Sequence, residues 1–300
     1  MNYHWGIDLG GTKIEGVILQ AGEGLKIVDR LRIPTQSAKG YDVILGNIKK
    51  VIDLLSERNG IFPTEVGIGT PGTIDPGLGT LKNCNSTALN GKPMHKDLEK
   101  LLGIKVKMSN DANCFAIAET NLGIVRDELP DAHVVFGVIL GTGVGGGIVI
   151  DGKPLTGLQG IGGEWGHNFL DESGGLCYCG KTGCVETVIS GPALERFYYS
   201  RSGVNKSLKD IVTANRLGID PIAEETILRL IHFFGFSLSY VINILDPDAI
   251  VIGGGVGNID ELYTLGKQEL KKHVFNHSMF TTLLKPKLGD SAGVFGAALL

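Results

Sequence analysis

Tyr3-His4-Trp5-Gly6-Ile7-Asp8-Leu9-Gly10-Gly11-Thr12-Lys13-Ile14 is the stretch whose reading decides the fold. Tyr3 to Leu9 and Ile14 to Leu19 are apolar runs on either side of a glycine turn, which predicts a β-hairpin. The same architecture returns later. His133 to Leu140 is apolar, Gly141-Thr142-Gly143-Val144-Gly145-Gly146-Gly147 follows, and Ile148-Val149-Ile150 resumes before an Asp151-Gly152 turn. A repeated strand, glycine turn and strand predict two domains of similar core, each presenting one glycine hairpin. At 300 residues the chain is also long for a single core.

Between the hairpins the pattern alternates. A strand is expected from Leu25 to Ile33 and a helix over Tyr41 to Arg58, where Ile44, Ile48, Val51, Ile52 and Leu55 recur at helical spacing. Glu65 to Gly69 and Val106 to Met108 read as strands, Met94 to Leu102 as a helix, and Leu81 to Thr87 as a polar loop. Ser109 to Asn113 reads as a loop leading into a helix through Cys114 and Leu122. Helices follow at Gly191 to Ser200, Leu208 to Ala214, Pro221 to Leu245 and Ile259 to Val274, with a buried strand at Ala249 to Ile252. Gly289 to Gly293 is expected to be a loop and Val294 to Leu300 a closing helix.

Composition excludes several classes. A net charge of −4 argues against a nucleic-acid surface. The weakly charged run Leu230 to Leu245 is too short to span a bilayer and reads as a buried helix. No signal peptide is expected, and five cysteines, three of them crowded together, make a poor disulfide framework. The reading is a cytoplasmic protein with reduced thiols.

The crowded cysteines have a better use. Gly163-Glu164-Trp165-Gly166-His167 and Cys177-Tyr178-Cys179-Gly180-Lys181-Thr182-Gly183-Cys184-Val185-Glu186 place one histidine, three cysteines and two glutamates in a glycine-rich loop. His167, Cys177, Cys179 and Cys184 make a Cys₃His set that closes the coordination of a structural zinc. Glu164 and Glu186 are left over beside it.

Three glycine clusters follow apolar strands, at residues 10–11, 141–147 and 253–255. Gly141-x-Gly143-x-x-Gly146 is not a dinucleotide fingerprint, because a β-branched run follows where a helix is required. Backbone N–H groups in such turns can hold phosphate. Thr12 and Thr142 add hydroxyls, and Asp8 can hold magnesium. Lys13 either approaches phosphate or points to solvent. Together these clusters read as a nucleotide cleft between two domains.

Asp8-Leu9-Gly10-Gly11-Thr12-Lys13, Asn110-Asp111-Ala112-Asn113, Gly141-Thr142-Gly143-x-Gly145, Gly163-Glu164-x-Gly166-His167 and the cysteine loop occur in that order. This set resembles the ROK family of bacterial sugar kinases and repressors across essentially the whole chain. The resemblance implies an actin-like ATPase (ribonuclease H-like) fold of class α/β. The implied division is residues 1–117 joined by 290–300, and residues 118–289 carrying the zinc loop 167–184. Asn83-x-Asn85-Ser86-Thr87-x-Leu89-Asn90-Gly91, Trp165 and Cys177-Tyr178-Cys179 resemble the fructokinase members most, although Ala88 stands where that pattern carries Trp.

The resemblance implies an ATP- and Mg²⁺-dependent hexose kinase acting on a sugar 6-hydroxyl, D-fructose first, with N-acetylglucosamine, mannose and glucose as alternatives. Asp111 is the candidate general base, against a simple helix N-cap. Asn110, Glu164, His167 and Glu186, with Asn85, would hold the sugar, and His167 would use its second ring nitrogen for it. Gly253, Gly254 and Gly255 would flank the adenosine, beside Gly10, Gly11, Gly141, Gly143 and Gly145 at the phosphates, and Gly296 the adenine side. The family implies a homodimer. Its repressors carry an N-terminal helix-turn-helix, for which a hairpin at Asp8 leaves no room.

Overall fold

The computed structural model describes residues 2–22, 25–84 and 86–300. It divides into one unit made of Met1–Arg126, Gly147–Gly162 and Lys287–Leu300, and another made of Asp127–Gly146 and Gly163–Pro286. The expectation divided the chain after residue 117 and returned residues 290–300 to the first unit, with 118–289 continuous in the second. Instead the chain revisits the first unit at Gly147–Gly162, and the reason is local packing. A Cβ on Gly147 would lie 2.6 Å from the Ala112 carbonyl, and the Asn121 amide donates to Gly152 O at 3.1 Å.

The first unit is built on β1 (Tyr3–Leu9), β2 (Lys13–Gln20), β3 (Lys26–Pro34) and α1 (Tyr41–Asn59). After these come β4 (Glu65–Thr70), a small hairpin of β5 (Thr73–Ile74) and β6 (Leu81–Lys82), α2 (Met94–Leu102), β7 (Lys105–Asn110), α3 (Asp111–Asn121) and α4 (Ile124–Glu128). The main sheet has the order β3-β2-β1-β4-β7. The first hairpin is antiparallel, with Leu9 opposite Ile14, whereas β1, β4 and β7 run parallel. β2 is buried almost throughout because both faces of the sheet are covered.

Glycines set how closely those covering helices approach. On one face Gly16 lies under α1, where a Cβ would come within 2.3 Å of Val51. On the other face the closing helix α10 (Ala292–Ala298) sits directly on β1 and β4. A Cβ on Gly6 would lie 2.3 Å from Val294 O, and one on Gly67 would lie 1.8 Å from Ala297 O. Gly67→Ala is therefore expected to cost about 3 kcal/mol by overpacking. Gly46→Ala, exposed inside α1 with nothing within 4 Å of its Cβ position, should stabilise by up to ~1 kcal/mol. Urea melts of the two variants shifting the same way would refute this account of the α10 seat.

In the second unit β8 (Val134–Leu140) leads into β9 (Val144–Ile150), which passes into the first unit and pairs there with β10 (Lys153–Pro154). The sheet order is β10-β9-β8-β11-β12, with β11 (Ala249–Gly253) and β12 (Thr282–Leu284) parallel to β8. The turn at the second glycine run is shorter than expected. β9 begins at Val144, so Gly145, Gly146 and Gly147 lie in the strand.

Helices α5 (Val185–Ile189), α6 (Gly191–Ser202), α7 (Leu208–Arg216), α8 (Pro221–Leu245) and α9 (Lys267–Lys271) complete the unit. α8 is long and apolar enough to cross a membrane. Ala223, Ile227, Leu230, Phe234, Leu238 and Val241 are buried at helical spacing, which makes it the core helix of this unit. The helix expected from Ile259 to Val274 is interrupted, with a π-helical turn at Leu262–Gly266 preceding α9. The closing helix starts earlier than read, at Ala292.

Candidate active site

In each unit the candidate residues gather at the carboxyl ends of parallel strands, where open α/β sheets place their ligands. Asp8 is opposite Gly69 between β1 and β4, and Thr70 is opposite Asn110 between β4 and β7. The turn after β1 is braced from outside. Gly10 N–H donates to Lys13 O at 2.9 Å and Thr35 N–H to Thr12 O at 2.9 Å. The Thr35 and Ser37 hydroxyls donate to Gly10 O and Gly11 O at 2.7 and 3.0 Å. With its carbonyls engaged, the turn leaves the N–H groups of Gly11 and Thr12 without a protein acceptor among the described residues. Exposed amides of that kind form an anion nest.

Asp8 stands within this wall, and a Cβ on Gly293 would lie 3.1 Å from its carboxyl. Burial, then Asp111 and Glu15, push its pKa up to about 6 against the pull of Lys13 and Arg32. A buried carboxylate that a second carboxylate pushes toward its protonated form suits a divalent cation.

The strand-to-helix junction fixes Asp111. Asn110, not Asp111, is the N-cap of α3, with its Oδ1 accepting from Ala112 N at 2.8 Å and Asn113 N at 3.2 Å. Asp111 is thus freed from the capping role that its position allowed. Its Oδ1 accepts from Asn110 Nδ2 at 3.0 Å and Ala112 N at 2.8 Å. Its Oδ2 has no protein donor among the described residues. The side chain is open to water yet ringed by protein, and loss of bulk hydration raises its pKa against those donors and its own backbone N–H. A cavity of about 250 Å³ opens beside Asn110, lined by Thr70, Thr73, Ile74, Met108, Asn110 and Asn113 among others. A larger hollow of about 660 Å³ lies at the amino end of β4 and holds none of the candidate residues.

In the second unit the turns after β8 and β11 are neighbours, since Gly253 pairs with Ile139. Gly141 N–H donates to Gly143 O at 2.9 Å, and Gly191 N–H to Gly141 O at 2.9 Å. Gly254 has φ +85° and would bring a Cβ within 2.2 Å of Leu140 O, while Gly255 is open. Glu186 reaches this turn, its Oε2 accepting from Val144 N at 2.9 Å. A Cβ at 143 would meet that same oxygen at 2.6 Å, so a larger residue there would displace the Glu186 carboxylate.

Trp165 packs behind the turn. Its indole N–H donates to Gly145 O at 3.2 Å, and it stands edge-on to Phe136 with centroids 5.9 Å apart. Gly146 makes room for that ring. Gly145 and Gly146 therefore serve the seat of Glu164–His167. Gly296, expected on the adenine side, is buried against the Cys114 carbonyl, where a Cβ would lie at 1.7 Å, so its role is packing α10 on α3.

The cysteine loop brings its four expected ligands together. One ligand atom from each of His167, Cys177, Cys179 and Cys184 lies within 4.8 Å of all the others. Cys177 Sγ is 3.6 Å from His167 Nδ1, and Cys179 Sγ is 3.6 Å from Cys184 Sγ. Zn–S bonds of 2.3 Å in a tetrahedron separate sulfurs by about 3.8 Å, so the donor set fits zinc. The second imidazole nitrogen, Nε2, meets the Tyr178 hydroxyl at 3.0 Å, and the two rings are perpendicular at 5.1 Å.

Sequence reasoning missed Tyr178 as a partner of His167, although its place between two ligands was a signal. It also missed Glu119, buried on α3, which accepts from Lys287 N, Leu288 N and Ile124 N and so ties the returning chain to the first unit. Asn85 lies outside the described residues.

A ROK hexokinase from Thermus thermophilus superposes with a TM-score of 0.88 at 29% identity, covering 99% of this chain and 97% of that one. A ROK glucokinase from Streptomyces griseus, in complex with glucose and AMPPNP, superposes with a TM-score of 0.77 at 28% identity over 99% and 98%. The fold is the actin-like ATPase fold. The sequence pattern of the ROK family matches residues 4–300, and an N-acetyl-D-glucosamine kinase from Aliivibrio salmonicida is 36% identical over 99% of both chains. The chain belongs to the ROK family.

Proposed function

We propose that this ROK protein is a sugar kinase that transfers the γ-phosphoryl group of ATP to the 6-hydroxyl of a hexose. The carrying observation is the Asn110–Asp111 junction, which holds one oxygen of Asp111 and leaves the other open beside a braced glycine turn. In this reading Asp111 Oδ2 accepts the hydroxyl proton as the oxygen attacks phosphorus in line. The N–H groups of Gly11 and Thr12, and the turns at Gly141–Gly143 and Gly253–Gly255, receive phosphate and nucleotide, with the Thr142 hydroxyl and Lys13 at their edges. Asp8 holds Mg²⁺, which when bound neutralises charge on the phosphates. Asn110, Glu164 and Glu186, with Asn85, hold the sugar hydroxyls, and His167 joins them where a sugar hydroxyl displaces that of Tyr178 from its Nε2. His167 Nδ1 with Cys177, Cys179 and Cys184 holds Zn²⁺, a structural ion in this closed set.

N-acetyl-D-glucosamine is the sugar we propose first. It is the substrate in the names of curated relatives at 36% identity over nearly the full chain. The cavity beside Asn110 supports it, because hydroxyl and amide groups there adjoin Ile74 and Met108, a mixture suited to an acetamido group. D-fructose, the first expectation, remains the second reading through the motif around Asn83 to Gly91. Trp165 no longer argues for it, since the indole is buried against Gly145 and Phe136.

A coupled assay of ATP-dependent phosphorylation over a hexose panel tests both levels. The kcat/KM for N-acetyl-D-glucosamine should exceed that for D-fructose by ~10-fold or more, the scale of discrimination that one polar group can provide. A faster fructose reaction would overturn the sugar, and a lack of turnover on any hexose would overturn the kinase.

A further inference from the structure

We propose that His232, Glu269 and His273 form a second transition-metal site on the second unit, best suited to Zn²⁺ and independent of the kinase reading. His232 lies on α8, Glu269 on α9 and His273 just beyond it. His232 Nδ1 is 3.0 Å and His273 Nε2 is 3.1 Å from the same oxygen, Glu269 Oε1. All three ligand atoms lie within 4.8 Å of one another. Tetrahedral zinc with bonds of 2.0–2.1 Å needs ligand separations of about 3.3 Å. Both nitrogens already stand close to that separation from the carboxylate oxygen, so an ion need only draw the two imidazoles together to close the trio around itself.

The rings are already held. Phe236 stacks on His232 with centroids 6.2 Å apart and planes 12° from parallel, and stands 5.2 Å from His273. Phe233 closes the other side at 5.0 Å. Packing of this kind orients imidazoles before an ion arrives. The Glu269 carboxylate faces Lys272 Nζ and both imidazoles at 2.6 to 3.1 Å, a place built for a charged group. Two imidazoles and one carboxylate favour zinc and its neighbours over Mg²⁺, which prefers oxygen.

Lys272 is the competitor. Its Nζ is 2.6 Å from Glu269 Oε2, but its side chain is 68% exposed and can move into water. It occupies Oε2 and leaves Oε1 to the metal. Three protein ligands leave a fourth position to water, so this site should exchange its ion readily, unlike the closed cysteine loop. An ion there would clip α8 to α9.

The test uses the full chain, dialysed so that the cysteine loop keeps its metal, and titrated with Zn²⁺ and, for its spectrum, Co²⁺. One further, chelator-labile equivalent is expected, with visible cobalt absorption and no additional thiolate charge-transfer band. His232→Gln and His273→Gln should each weaken this equivalent by more than about 10-fold while leaving the retained metal unchanged. Lys272→Ala should tighten it. Absence of a second equivalent, its persistence in the double histidine variant, or no response to Lys272→Ala would overturn the proposal and leave the trio as an ion-pair network.

Discussion

Asp111→Asn should lower kcat by about 10³–10⁴-fold, at the upper end of what general-base catalysis contributes, with sugar and ATP binding retained. The substitution spares the local geometry. An Asn carbonyl can accept from Ala112 N and Asn110 Nδ2 as Oδ1 does, and the helix keeps its cap because Asn110 supplies it. What disappears is the basic oxygen. The sign of the linkage gives an independent readout. The Asp111 pKa is raised in the folded protein, so the native state binds its proton more tightly than the unfolded chain. Stability is therefore lost as pH climbs from the ordinary carboxylate value through the raised one. At neutral pH the Asn variant should be as stable as the parent or more so, whereas loss of a structural anchor would lower its melting temperature. The acid limb of the parent's kcat/KM profile should likewise stand above the ordinary value of 3.8. A variant that keeps more than a few per cent of the parental rate would remove Asp111 as base.

What was legible in the sequence was local. Apolar runs flanking glycine turns gave β1, β2 and β8, and the 3.6-residue spacing gave α1 and α8, because a strand buried on both faces and a helix buried on one each leave their mark on neighbouring positions. The Cys₃His cluster was legible because its four residues lie close along the chain. Contacts between distant segments were not. Gly6 and Gly67 are glycine because α10 returns from the far end of the sequence to lie on them, and Gly296 because it seats α10 against Cys114 of α3, and nothing near residue 6 announces that. Glu119 is a carboxylate in a helix, exposed by default, until the segment at Lys287–Leu288 supplies it with donors. Asn110 and Asp111 are adjacent and chemically alike, so which one caps the helix depended on where β7 stops. The run from Gly141 to Gly147 looked uniform, but its first three residues turn and its last three are strand, a distinction made by Trp165 and Ala112 rather than by the glycines.

Removing the proposed zinc from the cysteine loop should cost sugar binding as well as stability. The four donors are placed at the elements that carry the two glutamates. His167 ends the 3₁₀ turn Trp165–His167 that Glu164 opens. Cys184 is the N-cap residue of α5, whose first turn carries Glu186. Joining His167 Nδ1 to Cys177, Cys179 and Cys184 thus sets the separation of Glu164 from Glu186, and Glu186 is further tied to Val144 N. Four ligands without the ion are three thiols and an imidazole packed within 4.8 Å, and their lone pairs have little reason to stay so close. Structural zinc contributes roughly 10–16 kcal/mol to the folding of small zinc-binding peptides. Here the loop bears on a larger unit, so local loosening is expected rather than global unfolding. A displacement of about 1 Å at a positioned group can cost ~100-fold in rate. Cys179→Ser, or exhaustive chelation, should accordingly lower sugar affinity measured by calorimetry and kcat/KM for the sugar by up to that factor. ATP affinity should change much less, because Gly10–Thr12 and Gly253–Gly255 hold no zinc ligand. Zinc-free protein that melts earlier yet binds sugar as before would reduce the loop to a staple and separate the glutamates from the metal beside them.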